Sequence, residues 1–162
     1  MSLSTLSSPR ALLLTVLLLA TGMAGCVSDA GDGLPWASYE EAKAAPGPVF
    51  QANGTESPIV LKLLEPSDPD AITEGGLDVI VLLYDEETDE PVTDADFQIE
   101  ARMPAMGHGT SPETHPVHQR DGIYAGSTTI SMAGDWLINL DPQLADGTVL
   151  HYDVWASTGG SA

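Results

Sequence analysis

The stretch Asp96-Phe-Gln-Ile-Glu-Ala-Arg-Met103 alternates apolar and polar residues without a break, which puts Phe97, Ile99, Ala101 and Met103 on one face. A period of two belongs to a half-buried strand and leaves no helical reading. Comparable short apolar runs lie at 59–64, 77–84, 122–131, 135–140 and 148–156, each bounded by clusters of Pro, Gly or Asp. The run at 77–84 is almost wholly apolar, which predicts a central strand. Trp136, Ile138 and Leu140 share a face and form a second core stripe. Between the last runs, Met132-Ala-Gly-Asp-Trp136 reads as a tight hairpin with Gly134 supplying a positive φ. Six or seven strands at spacings of roughly ten residues, with no convincing helix among them, predict an all-β fold. The expected architecture is an immunoglobulin-like β-sandwich of about seven strands.

The N-terminus reads as an address. Pro9-Arg10 precedes the apolar run 11–20, then small residues 21–25, then Cys26, the chain's single cysteine. The run is too short for a membrane span and has the flanks of a signal peptide. Met23-Ala24-Gly25-Cys26 resembles the bacterial lipobox, which predicts cleavage before Cys26 and lipidation of its sulfur. The expected product is an extracytoplasmic protein anchored to the membrane, facing the periplasm from the outer membrane in a Gram-negative cell. Residues 26–47 then read as lipidated cysteine and flexible tether, with one helical turn near 38–43. Trp36 and Tyr39 either dock on the domain or simply mark that turn. The domain is expected over 48–158, followed by a disordered tail at 159–162.

The chemistry concentrates between Met103 and His118. Met103-Pro-Ala-Met-Gly-His-Gly109 and His115-Pro-Val-His118 hold two methionines and three of the chain's four histidines. Pro104, Gly107, Gly109 and Pro112 rule out a regular helix there, so the segment is a shaped loop. Thioether and imidazole together are soft and borderline ligands of the kind that select copper, Cu(I) above all. Met106 and His108, two residues apart in a bend, are the first candidates for chelating one ion. Met103 is held extended by Pro104 and reads equally as ligand and as core filler. Met132 reads as a core methionine or as a ligand from a neighbouring connection. His115 and His118 are three apart, so both join one site only if Pro116 breaks the strand; otherwise they are exposed loop histidines. His151 alternates with Leu150 and Tyr152 and reads as structural or exposed. Imidazole binds metal only when neutral, so affinity for copper should fall on acidification.

Composition excludes several alternatives. There are 24 Asp and Glu against 5 Lys and Arg, so no basic surface exists to neutralise phosphates, and nucleic acid is not an expected partner. One cysteine supports neither a disulfide framework nor a thiolate zinc site. The acidic turn at 85–91 lacks the spaced ladder of a calcium loop. No Gly-x-Ser-x-Gly elbow, His-Glu-x-x-His pair or phosphate loop is present, and no enzyme activity is expected.

Four motifs together resemble the YtkA-like/FixH-like family. They are Met-Pro-x-Met-Gly-His-Gly at 103–109, Gly-x-Tyr at 122–124, Ser-Met-Ala-Gly-Asp-Trp at 131–136, and the turn Asp89-Glu-Pro-Val-Thr-Asp-Ala95. The last is similar to the family's Gly-x-Pro-Val-x-Gly-Ala turn, with acidic departures. The resemblance covers about residues 57–156. It implies a small exported or membrane-tethered β-sandwich, often a lipoprotein. Its FixH-like branch implies copper supply to haem-copper oxidase assembly. Two functions follow as expectations. One is a copper-binding lipoprotein that buffers the metal or delivers it to an envelope protein. The other is a metal-free sandwich module that binds a protein or small ligand through the same loop.

Overall fold

The computed structural model describes residues 33–109 and 114–159, with backbone alone at 108 and 109. The expected signal segment 1–25, the lipidation site Cys26 and residues 160–162 of the expected tail lie outside the described residues.

Among the described residues ten strands appear in chain order: β1 (Val49–Gln51), β2 (Ile59–Glu65), β3 (Gly75–Asp85), β4 (Glu90–Pro91), β5 (Asp96–Met103), β6 (His108–Gly109), β7 (Val117–Arg120), β8 (Ile123–Ile130), β9 (Asp135–Gln143) and β10 (Tyr152–Ser157). They form two antiparallel sheets. The larger runs β1-β2-β3-β8-β7 with β4 on β3, and the smaller runs β10-β9-β5-β6. This is the β-sandwich that the alternation predicts. The strand number exceeds seven because β1, β4, β6 and β7 are too short to carry a legible period.

The core lies between the sheets. Leu61, Leu63, Val79, Val81, Leu83 and Tyr124 face it from the larger sheet; Phe97, Ile99, Ala101, Trp136, Ile138 and Leu140 face it from the smaller. Both stripes expected on β5 and β9 are therefore buried. The segment Met132–Trp136 is not a hairpin. β8 belongs to the larger sheet and β9 to the smaller, so these residues carry the chain across the sandwich. Gly134 does take a positive φ, +135°. A Cβ there would lie 2.6 Å from Met103 Cε, the movable end of that side chain, so the positive φ is the main objection to a side chain.

A second apolar cluster explains why β2 and β3 read as near-continuous hydrophobic runs. Val60, Leu64, Leu82 and Ile123 point away from the core and are nonetheless fully buried. They are covered by α1 (Tyr39–Ala44), whose Tyr39 and Ala42 pack on them, and by the flanking Leu34, Trp36 and Ala45. The tether expected over 26–47 is thus corrected in its described part: residues 33–47 are docked on the sheet. The reason is the apolar outer face, which would otherwise meet water. The helical turn expected at 38–43 is present, with Ser38 Oγ accepting the Glu41 N–H at its N-cap, 3.3 Å away.

Polar contacts fasten the same segment. Lys43 pairs with Asp89, which also accepts the Tyr39 hydroxyl at 2.7 Å. Lys43, then Tyr39, hold the Asp89 carboxyl below the usual carboxylate range, and Asp89 in turn raises Lys43. Lys62, nearly buried under the helix, donates to the Lys43 carbonyl; burial pushes its ammonium down. Arg120 donates to the Trp36 carbonyl. No helix among the described residues is long and apolar enough to cross a membrane.

Candidate functional site

The methionine-histidine motif folds as a β-hairpin. β5 ends at Met103 and β6 begins at His108, the two residues paired directly across the ladder. Pro104 cannot continue that ladder, and Gly107 takes φ +65°, so the chain reverses within four residues. The N–H groups of Met106 and Gly107 both donate to the Met103 carbonyl, at 3.1 and 3.0 Å. A hydrogen-bonded tip of this kind holds a fixed backbone shape while leaving the Met106 side chain 56% exposed.

Met103 itself lies in the core, 5% exposed, with its methyl against Gly134. Its place in the inward stripe of β5 makes it a residue of the core cluster. Through that contact the crossing segment 132–136 meets the hairpin. Met132, on this segment, is 36% exposed rather than a core residue. Its carbonyl accepts the Trp136 Nε1–H at 3.1 Å, which ties the turn to the buried indole. Thr158 Oγ1 accepts the Gly134 N–H at 2.6 Å. One rim of the sandwich thus carries Met106, Met132 and the backbone of His108 around a buried Met103.

His115 and His118 do not belong to this rim. Thr114 pairs with Ile99 of β5, and His115 Nδ1 lies 2.9 Å from the Phe97 carbonyl. Phe97 precedes Met103 by six residues of strand, about 20 Å at the usual rise. Pro116 is buried at the crossing from one sheet to the other, and His118 lands on β7 in the larger sheet. Its ring packs on Tyr124, centroids 5.0 Å apart, and its Nε2 is buried without a hydrogen-bond partner among the described residues. Neither histidine can share an ion with Met106. Among the described residues, no three His, Cys, Asp or Glu side chains are grouped so as to hold a metal ion.

Sequence reasoning passed over a second polar site. His151 Nδ1 sits 2.9 Å from Asp141 Oδ1. Both line a cavity of about 340 Å³ together with Asp96, Gln98, His115 and Gln143. The partners are ten residues apart in sequence, on either side of a turn. The usable signal was the β9–β10 pairing, which sets Tyr152 opposite Leu140.

Residues 63–141 match the family model described as YtkA-like. No curated protein and no solved structure matches the chain. The motifs that carry the family resemblance touch one another in pairs. Tyr124 donates to the Val92 carbonyl and accepts the Ala95 N–H, both at 3.0 Å, which joins Gly-x-Tyr to the 89–95 turn. Asp89, which opens that turn, has φ +60°, a conformation glycine adopts without cost. Gly134 lies on Met103, which joins Ser-Met-Ala-Gly-Asp-Trp to the Met-Pro-x-Met hairpin. The chain therefore carries a YtkA-like domain over residues 63–141, and its methionine-histidine hairpin lies within that stretch, at one rim of a two-sheet sandwich.

Proposed function

We propose that this is a lipid-anchored extracytoplasmic protein whose YtkA-like domain binds copper at the hairpin rim. It takes Cu(I) by preference, and buffers the metal or passes it to an envelope partner. The observation that carries this reading is the exposure of Met106 and Met132, at 56% and 36%, on two connections that meet at Met103. Thioethers bind Cu(I) without losing a proton and bind hard cations poorly. His108, two residues from Met106, is the nitrogen donor of the set; Met103 supports it from beneath. A rim site with exposed sulfurs suits exchange of ligands with a second protein better than permanent storage. Anchoring rests on the lipobox-like Met23-Ala24-Gly25-Cys26. A Cys26→Ser variant should leave the membrane fraction.

The metal-free reading draws on the same exposure, because methionine is an adaptable contact residue. One experiment separates the two. Full-length protein in detergent is titrated anaerobically with Cu(I) against a competing chelator, beside a Met106→Ala/His108→Ala variant. Tight one-to-one binding that the variant lacks supports copper. Equal binding by both refutes the copper reading and leaves a partner-binding module.

A further inference from the structure

We infer that the cavity on the outer face of the smaller sheet is a binding site for a cationic group with several N–H donors, a guanidinium or an ammonium. Its floor is two cross-strand pairs, Asp96 with Gln143 and Gln98 with Asp141, on the solvent side of β5 and β9. His115 and His151 flank it, one from each side.

The hydrogen-bond roles of these two imidazoles are fixed by what they touch. His115 Nδ1 faces the Phe97 carbonyl, and His151 Nδ1 faces the Asp141 carboxylate. Both partners can only accept, so each Nδ1 carries the proton, and in the neutral ring Nε2 is left as an acceptor. The Asp96 carboxylate has no hydrogen-bond partner among the described residues, and Asp141 has an oxygen beyond the one given to His151. Apart from the amide N–H groups of Gln98 and Gln143, the unspent capacity of the cavity is acceptor, and its only unpaired charge is negative. No lysine or arginine lines it.

A metal ion is the poorer match, because no three of these ligands converge. A guanidinium spreads five N–H donors over a plane and can reach separated acceptors at once; an ammonium offers three. Val149, 44% exposed, gives the aliphatic stem of such a group an apolar wall. The chain's 24 acidic against 5 basic side chains raise the local concentration of any cation. The site stands about 20 Å along β5 from the methionine rim, so it goes beyond the copper reading and stands or falls separately.

The test follows the histidine ring nitrogens of the full-length protein in detergent by NMR. The probes are acetyl-arginine-amide, spermidine and an arginine-containing basic peptide. Saturable shifts of His115 and His151 Nε2 are expected, with His118 unmoved. Binding should weaken at least tenfold in an Asp96→Asn/Asp141→Asn variant whose melting temperature matches the wild type. A peptide at least tenfold tighter than either free cation assigns the site to a basic protein partner; comparable affinities assign it to a small cation. Absence of saturable shifts, or equal affinity in the variant, overturns the inference. So does a response to Zn(II) where none of the cations gives one.

Discussion

Replacing Met103 separates packing from ligation. Truncation to alanine removes Cγ, Sδ and Cε from a side chain only 5% exposed. At about 0.8 kcal/mol per buried methylene-sized group, transfer alone costs about 2.4 kcal/mol. The cavity left between β5 and Gly134 raises the loss to about 3–4 kcal/mol, inside the range of about 2–5 usual for such truncations. For a domain of this length the melting temperature should fall by roughly 10–15 °C. Leucine keeps most of the volume and should cost under about 1.5 kcal/mol. Urea unfolding followed by the fluorescence of buried Trp136 reads both, with unchanged slopes showing that the midpoint shift is one of stability. Because Met103 supports the rim without supplying a sulfur, Met103→Leu should also bind Cu(I) as the wild type does. A leucine variant that folds normally but loses Cu(I) would make Met103 a ligand and refute this assignment. An alanine variant of wild-type stability would refute the packing.

Three further outcomes follow from the fold. Gly134→Ala should cost about 1–3 kcal/mol through its positive φ, measured by thermal denaturation, and adding Met103→Ala should not restore the loss, because only the steric part is relieved. Ala42→Asp places a carboxylate under α1 against Leu64 and Leu82; hydrogen exchange should show protection lost at 39–45 and kept on β5 and β9, whereas joint loss would mean that the helix is part of the sandwich's cooperative unit. Asp89→Ala removes the partner of Lys43 and Tyr39. The folded Asp89 carboxyl is depressed, so its stabilising effect is complete above the ordinary carboxylate range and is lost as pH falls through its lowered value. Lys43 is raised, so its share is complete below the ordinary lysine range and is lost only as pH rises through its raised value. The wild-type advantage in melting temperature should be level between those limits and shrink beyond both; an advantage that grows on acidification would contradict the pairing.

Much of the sandwich was legible because alternation is a local property. Phe97, Ile99, Ala101 and Met103 follow a period of two, and burial follows it faithfully. The docking of 33–47 was not legible from that segment, which is rich in Pro, Gly and Ala. Its sign lay elsewhere, in the outward Val60, Leu64 and Leu82, which no single-faced strand would leave apolar. The crossing at 132–136 was mistaken for a hairpin because a glycine turn between two strands looks alike whether it joins neighbours in one sheet or passes to the other. Site geometry was the least legible part. Sixteen residues of sequence hold Met106 and His118 together, yet His115 lies at the far end of β5 and His118 on β7 in the other sheet. His151 joins Asp141 only once β10 pairs with β9.

The most direct test of the copper site is X-ray absorption at the copper edge on full-length protein loaded with one equivalent of Cu(I). Directly bound sulfur should be seen from Met106 and Met132, reduced by one in each of Met106→Leu and Met132→Leu and unchanged in His115→Ala/His118→Ala. Copper bound only through nitrogen and oxygen, or a spectrum indifferent to both methionine substitutions, would contradict the assignment of the rim.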